Sequence, residues 1–440
     1  MTALAADEYL TFAEQLQRTG FVTDPWFDGR PRFDPKPFWL TAAEARAMAA
    51  AAARVAAATD EAVRLAAREP ACLDEFFALT PSQKLMFAVA APLWHAVARA
   101  DVFRCADGRL QICELNCDTP SGFGETAALT ATLRPADRRR GRDPSSALGP
   151  AFVQLVGRAA DELGVRGRAP RIGVVYPTEL TEDFGQIAAW RRLFAAQGWE
   201  VTLGSPFNLE WTAGGRLTLL GEPCDVVVRH YKTDWWGERR PVWRDGFDFV
   251  DAEPLGRPLA ALLAAEECGR CAVLNPFGAV LPQNKRTMAF LWERLPRFTA
   301  ATQATVRALI PFTLRLEVAD PARLRAERGD WVLKSDYGCE GDEVILGADV
   351  SDVAWDDALR AAAPGRWIVQ RRFTPERDAK GRAANHGVFV VAGEPVGIYT
   401  RLSRGPTDAG AVSVPTLVKD EDEDEDEDED GRGAERGARA

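Results

Sequence analysis

Lysine and histidine are scarce in this 440-residue chain. It has seven lysines against 47 arginines, and only three histidines. Because arginine supplies basic charge almost everywhere, each lysine marks a position where a compact point charge is favoured. Three histidines leave few partners for a catalytic cysteine, and no paired spacing of zinc ligands is present. Covalent cysteine catalysis and a zinc centre are therefore not indicated.

Long apolar runs are missing as well. Residues 41–67 are rich in alanine but are interrupted by six charged residues, so they predict a soluble helix, not a membrane span. The first 20 residues lack the apolar core of a signal peptide. Eight scattered cysteines without a secretory signal favour reduced thiols. We expect a cytoplasmic protein that does not associate with membranes.

The acidic charge is concentrated at the C-terminal end. Residues 419–440 contain twelve acidic and four basic residues, a net charge of −8, whereas the whole chain carries −11. The remaining −3, without a basic stripe, argues against binding of nucleic acid. The short cluster at residues 138–142 is interpreted as a solvated connection in preference to a phosphate-binding patch. The tail is predicted to be a disordered appendage that could recruit a basic protein partner.

The hydrophobic pattern changes along the chain. Apolar residues at helical spacing predict helices over 7–19, 42–69 and 81–100, and alternation predicts a hairpin of strands 101–104 and 110–116. In that hairpin, Leu110, Ile112 and Glu114 are predicted to share one face. Alternating strands and helices follow from residue 166 and indicate an open, Rossmann-like α/β region. Since GxGxxG is missing there, a dinucleotide site is not indicated.

A lysine at a strand end precedes a glycine-containing loop in the C-terminal third. Strand 331–334 ends at Lys334, and Gly338 and Gly341 follow before the next strand. Backbone N–H groups of such a loop can turn toward an anion, and the lysine adds a point charge. The pattern predicts a phosphate-binding lid. A plain hairpin with a lysine reaching solvent is the alternative.

Oxygen ligands occur together on the predicted hairpin. Asp101 lies on one strand, and Glu114 and Asn116 project from one side of the other. Two carboxylates and an amide suit Mg²⁺, although a polar hairpin at an interface would give the same pattern. The loop that follows carries candidates for binding a substrate carboxylate, namely Thr119, Ser121 and Glu125.

The segment 230–240 combines aromatic side chains with charges of both signs. With Asp234 it could accept a cationic amine. The alternative is an interdomain seam of tryptophan and arginine side chains. The only CxxC, from Cys268 to Cys271, lies between a helix end and a strand, so redox chemistry is not favoured.

These motifs resemble the synthetase domain of the glutathionylspermidine synthase family, which belongs to the ATP-grasp superfamily. The resemblance spans residues 15–418, without the family's amidase domain. It implies ATP and Mg²⁺ as cofactors. The spacing between Asp101 and Glu114 is one residue longer than the family pattern, so Arg99 and Arg104 both remain candidates for the phosphate-binding arginine. The implied roles are catalysis for Arg99 and Arg401, nucleotide binding for Lys285, Lys334, Gly338, Gly341 and Gln370, and metal binding for Asp101, Glu114 and Asn116.

The resemblance also implies an α/β (α+β) chain with an ATP-grasp fold. A helical segment at 1–100 would be followed by the hairpin and substrate loop at 101–165, part of the ATP-grasp core. A pre-ATP-grasp-like α/β region at 166–260 and a nucleotide-binding region at 261–418 would come next, and the tail at 419–440 last.

The implied activity is that of an ATP- and Mg²⁺-dependent carboxylate–amine ligase. Phosphoryl transfer to a carboxylate of a small molecule or peptide would form an acyl phosphate, which an amine attacks to give an amide, ADP and phosphate. Two other hypotheses remain open. The chain could be a catalytically silent nucleotide-binding module with an acidic interaction tail, or a kinase on the same scaffold.

Overall fold

The computed structural model describes residues 6–238, 255–338 and 343–419. The helices in these ranges are α1 Ala6–Arg18, α2 Ala42–Arg68, α3 Ala71–Glu75, α4 Pro81–Ala90, α5 Phe123–Ala131, α6 Pro135–Arg139, α7 Leu148–Glu162, α8 Phe184–Ala195, α9 Trp235–Glu238, α10 Gly256–Glu267, α11 Arg286–Glu293, α12 Ala300–Leu309, α13 Pro321–Ala326 and α14 Asp352–Ala362. The strands are β1 Trp26–Phe27, β2 Arg30–Pro31, β3 Phe38–Leu40, β4 Val97–Arg104, β5 Leu110–Asn116, β6 Gly141–Arg142, β7 Arg171–Val175, β8 Glu200–Gly204, β9 Leu209–Trp211, β10 Leu217–Leu219, β11 Glu222–Pro223, β12 Val226–Arg229, β13 Ala272–Leu274, β14 Thr313–Arg315, β15 Trp331–Ser335, β16 Val344–Leu346, β17 Trp367–Arg371, β18 Ala383–Val391, β19 Glu394–Ser403, β20 Val412–Val414 and β21 Thr416–Lys419.

The longest helix, α2, covers one face of an antiparallel sheet. It starts at a capping box in which Thr41 and Glu44 satisfy each other's backbone N–H groups. Its alanines favour helix and keep the buried side narrow, and Met48, Val55 and Val63 reach into the core. The sheet therefore lies close to the helix along its length.

The helix predicted over 81–100 ends early, and this part of the prediction is wrong. Helix α4 stops at Ala90, and β4 already begins at Val97. Pro92 explains the end, because a proline has no N–H to donate and disfavours helical backbone in the residue before it. Ala98 and Ala100 are fully buried beneath α2, where small side chains allow the close approach.

The five-stranded antiparallel sheet carries the predicted hairpin and has the order β20-β19-β18-β4-β5. A β-bulge interrupts the β4–β5 pairing: Ala100 pairs with Leu115, whereas Val102 pairs with Ile112. Two residues of β5, Cys113 and Glu114, therefore lie opposite the single residue Asp101. The extra residue in the Asp101–Glu114 spacing is accommodated by this bulge.

Because of this bulge, the predicted alternation along β5 is wrong for Leu110 and Ile112. Leu110 and Ile112 pack in the core under α2 and do not share the face of Glu114. Beyond the bulge Leu115 returns to the core, so Glu114 and Asn116 both project to the other side, as predicted. The extra residue reverses the side to which every later side chain points.

A second, four-stranded sheet has the order β14-β17-β15-β16. Its core holds the buried side chains of Trp331 and Trp355, with α13 and α14 packed over it. Lys334 is on the central strand β15 and Gln370 on the neighbouring β17. The predicted lid strands therefore form one rigid sheet.

The predicted Rossmann-like region is an open parallel sheet with the order β13-β12-β7-β8. Alternate residues of β12 face opposite sides: Val227 packs with α10, whereas Val226 and Val228 pack with α7 and α8. Loops after β7 and β12 leave the carboxyl edge of this sheet, where ligand sites of α/β proteins usually lie. Over the described ranges, no helix combines the length and apolar character needed to cross a bilayer.

Candidate active site

A cavity of about 370 Å³ lies where the five-stranded sheet, the parallel sheet and the loop after β15 meet. Most of the predicted site residues line it. These are Arg99, Asp101, Glu114, Asn116, Thr119, Ser121, Glu125, Gly338 and Arg401. These nine candidates, which come from distant parts of the chain, therefore converge on one space.

A buried carboxylate held by two arginines forms one wall. Asp101 Oδ1 accepts a hydrogen bond from Nε of Arg99 at 2.9 Å, and Oδ2 accepts from Arg401 at 2.9 Å and from the Asn385 amide at 3.0 Å. The three partners come from β4, β19 and β18, all on the cavity face. Burial by itself would raise the pKa of Asp101, but the two guanidinium groups and the amide hold it well below its usual range. This wall carries one net positive charge.

The Arg99 side chain lies on a glycine of the neighbouring strand. Gly387 is directly opposite Asp101, and a Cβ at Gly387 would lie 2.6 Å from Cδ of Arg99. Arg99 also donates to the backbone oxygen of Ser121 at 2.7 Å, so both of its ends are fixed. Arg104, the other candidate for the phosphate-binding arginine, points elsewhere and pairs with Glu44 and Glu376. Of these two candidates, Arg99 is the one that faces the cavity.

Glu114 and Asn116 lie next to this wall and offer oxygen atoms that can ligate a metal ion. The Asn116 amide nitrogen is buried and has no hydrogen-bond partner among the described residues. A cation would be bound by the side-chain oxygen of Asn116, which is an acceptor, and not by this nitrogen. Asp101 Oδ1 accepts only one of the described hydrogen bonds and keeps a free lone pair. These donors fit a hard cation such as Mg²⁺.

Both predicted nucleotide lysines are buried next to the cavity. Lys285, just before α11, donates to the carbonyl oxygen of Gly338, and its Nζ lies 3.8 Å from Glu114. Lys334 donates to Gln370 Oε1 at 2.8 Å, and its Nζ lies 3.5 Å from the carbonyl oxygen of Cys113 in the bulge. Lys334 therefore connects the four-stranded sheet to the five-stranded sheet. Gly341 lies outside the described residues.

The substrate loop is held from behind by buried polar groups that the sequence analysis did not identify. Asp118 Oδ1 accepts from Arg229 at 2.6 Å, and Oδ2 accepts from the backbone N–H of Thr233 at 2.6 Å. The Asn275 amide donates to the carbonyl oxygens of Cys117 and Asp118. Breaking a buried pair of this kind typically costs about 3–5 kcal/mol. Arg229 ends β12, so the parallel sheet fixes the loop that carries Thr119 and Ser121.

Acidic residues from other elements line the end of the cavity near Glu125. We call this end, with Glu125, Glu182 and Asp183, the acidic pole. Glu182 and Asp183, before α8, line the cavity together with Arg32, which follows β2. Asp183 Oδ1 lies 3.0 Å from Nε2 of His230. Burial raises the pKa of Glu125, and burial followed by repulsion from Asp183 raises that of Glu182. No motif marks Glu182 and Asp183 in the sequence, because their proximity to Glu125 depends on how the sheets pack.

The prediction for Asp234 fits less well. Lys232 and Trp235 line the cavity, whereas Asp234 does not and lies 3.5 Å from Nζ of Lys232. Asp234 therefore contacts a residue that lines the cavity but does not line the cavity itself. Burial raises the pKa of Cys271, one of the two CxxC cysteines, well above its usual range, which disfavours its thiolate form.

A family model described as glutathionylspermidine synthase preATP-grasp matches residues 8–419. The chain belongs to this family. The resemblance in the sequence is thereby confirmed, and family membership supports a synthetase-type ligase. No curated protein matches the chain.

Two solved structures are similar to this chain, and the first supports the fold. A glutathione synthetase-like effector from Globodera pallida, in its apo form, superposes with a TM-score of 0.59 at 12% identity and covers 94% of this chain and 96% of its own. A putative gamma-glutamylcysteine synthetase from Methylobacillus flagellatus KT gives a TM-score of 0.44 at 15% identity, with 83% and 88% covered. The mixed α/β chain has the ATP-grasp type of fold.

Proposed function

We propose that this protein is an ATP- and Mg²⁺-dependent carboxylate–amine ligase that forms an amide through an acyl phosphate. The observation that carries the proposal is the convergence of Arg99, Arg401, Lys285 and Lys334 around one cavity that also holds oxygen donors. Phosphoryl transfer to a carboxylate needs several fixed cations, because charge develops on the equatorial oxygens of the transferring group.

The two lysines and two arginines have different positions and therefore different roles. Lys334 and Lys285 approach from the four-stranded sheet and α11, where they would hold nucleotide phosphates. Arg99 and Arg401 approach from the five-stranded sheet, where they would stabilise the transferring phosphoryl group and orient the carboxylate. Gln370 accepts from Lys334 and donates to Thr313 Oγ1 at 3.0 Å, so it holds the lysine in place. Rigid strands supply most of these groups, which limits the reorganisation needed at the moment of reaction.

The metal ligands proposed are Asp101, Glu114 and Asn116. A bound Mg²⁺ would neutralise phosphate charge. The carboxylates would keep that charge close to the arginine wall, and the side-chain oxygen of Asn116 would be the third protein ligand. Glu114 is paired only loosely with Lys285, at 3.8 Å, and can exchange that contact for the cation.

The acidic pole would bind the amine. Glu125, Glu182 and Asp183 face the same cavity, and their mutual repulsion and burial would be relieved by a cationic group. The substrates proposed are thus a small-molecule or peptide carboxylate and a positively charged amine. The free thiols of the described cysteines suit a reducing, cytoplasmic setting.

An ADP-release assay against a matrix of peptides and amines, with Mg²⁺, tests this activity. The ligase predicts ADP release that requires both an acid and an amine, with an amide as product. A kinase would instead leave a stable phosphorylated compound, and a silent module would release no ADP with any pair. Completeness of the site favours the ligase over the silent module, because none of the predicted lysines, arginines or metal ligands has been lost.

A further inference from the structure

Exposed arginines surround the short strand β6, and none of them lines the candidate active-site cavity. We call Arg138, Arg139, Arg140 and Arg142 the arginine cluster; all four are exposed. Arg138 is anchored by donating to the carbonyl oxygens of Thr130 and Ala131 at the end of α5, at 2.6 and 3.1 Å. Among the described residues, no carboxylate pairs with Arg139 or Arg142. The cluster therefore presents concentrated positive charge on a body that carries little net charge.

The last described strand runs directly alongside this cluster. β21 pairs antiparallel with β6, with Val418 opposite Arg142 and Lys419 opposite Gly141. The approach is close, since a Cβ at Gly141 would lie 2.6 Å from the carbonyl oxygen of Val418. On its other side β21 pairs with β3, so its position is fixed by two neighbours. Its direction at Lys419 points toward Arg140 and α6.

The sequence that follows this strand has the complementary charge. Residues 420–430 are eleven consecutive aspartates and glutamates. A run of like charges repels itself, and β21, which precedes the run, is directed toward Arg140 of the arginine cluster. We propose that the acidic segment 420–430 docks in cis on the arginine cluster, so that the chain covers its own basic surface.

Tethering makes this partner more accessible than any partner in solution. The acidic segment begins one residue after Lys419, so its effective concentration at the cluster is on the order of millimolar. Docking of this kind needs charge proximity and no apolar burial, which agrees with the composition of the segment. It should weaken as salt shortens the Debye length from ~10 Å at 0.1 M to ~3 Å at 1 M. A basic protein would have to compete with the cluster for the same carboxylates.

Zero-length cross-linking of the full-length protein tests the docking. Arg139→Lys and Arg142→Lys keep the charge but introduce a primary amine that carbodiimide can couple to a nearby carboxylate. Arg216→Lys is the matched control, because Arg216 is exposed in the turn between β9 and β10 of a different sheet. Cross-linked peptides are identified by mass spectrometry after monomer and dimer bands have been separated. Coupling of the native Lys419 to the adjacent carboxylates shows that the reagent works.

The proposal predicts monomeric cross-links between position 139 or 142 and residues 420–430, at least several-fold more abundant than from position 216. In 1 M NaCl they should fall to the level of the control. Three results would overturn it: no cross-links from either position, equal yields from position 216, or cross-links found only in dimers. The last would show docking between two copies of the chain.

Discussion

Gly387 lies directly beneath the Arg99 side chain, so that a Cβ at position 387 would lie 2.6 Å from Cδ of Arg99. Arg99 cannot move away freely, because its Nε binds Asp101 and its other end binds Ser121. The absence of a side chain at Gly387 thus determines where the proposed phosphate-binding guanidinium lies.

Gly387→Ala should therefore lower turnover by roughly tenfold or more and destabilise the fold by about 1–3 kcal/mol through overpacking. ADP release and urea denaturation measure the two effects. Gly405→Ala is the control, since no heavy atom lies within 4 Å of a Cβ there. Equal turnover in the two variants would show that the position of Arg99 does not matter.

A matched pair of substitutions tests whether Arg99 or Arg104 is the phosphate-binding arginine. Arg99→Gln should lower turnover by roughly two orders of magnitude, about 2.7 kcal/mol of transition-state stabilisation. Arg104→Gln removes the same charge but breaks only contacts with Glu44 and Glu376, outside the cavity, so its ADP release should match that of the unmodified protein. The reverse order of effects would transfer the phosphate-binding role to Arg104.

Lys334 should be needed for ATP to protect the fold. At 100 times its dissociation constant, a ligand adds about 2.7 kcal/mol to stability, and Lys334→Ala should lose most of the resulting shift in melting temperature. Lys84→Ala, on the outer side of α4, should keep it, although the variant loses an exposed ion pair with Asp74. Equal ATP-dependent shifts in both variants would argue against nucleotide binding next to β15.

The metal site is tested on neighbouring residues that face opposite sides of β5. Glu114→Gln keeps the shape and removes one negative charge, so turnover should fall by two or more orders of magnitude, roughly 3 kcal/mol, with folding little changed. Leu115→Ala should instead cost about 2–5 kcal/mol of stability, because Leu115 is buried under α2. Near-normal turnover of Glu114→Gln at saturating Mg²⁺ would remove Glu114 from the metal site.

Much of this site could be predicted from local sequence patterns. Lys334 followed by glycines, and Glu114 with Asn116 two residues apart, depend on strand periodicity and loop composition, which operate over a few residues. Lys285, by contrast, was implied only by the family resemblance. Both lysines proved to be buried beside the same cavity.

Other parts depend on pairing between distant segments and could not be predicted. The bulge at Cys113 and Glu114 is set by the register with β4, and alternation alone placed Ile112 on the wrong face. Asn275 holds the substrate loop from more than 150 residues away. Such contacts form only once the sheets have packed. The residues around an asparagine in the sequence do not indicate which distant groups it will bind. Pro92, by contrast, is a local signal for the end of α4, and the prediction of a helix over 81–100 overlooked it.

Transfer of oxygen from the carboxylate to phosphate is the most direct test of the central claim. The acid identified by the ADP-release screen would be labelled with heavy oxygen in its carboxylate, and the phosphate released with its amine partner would be analysed by mass spectrometry. An acyl phosphate predicts that each phosphate formed carries one labelled oxygen and that an amide accumulates in equal amount. Unlabelled phosphate, or label retained in a stable phosphorylated product, would contradict the ligase mechanism.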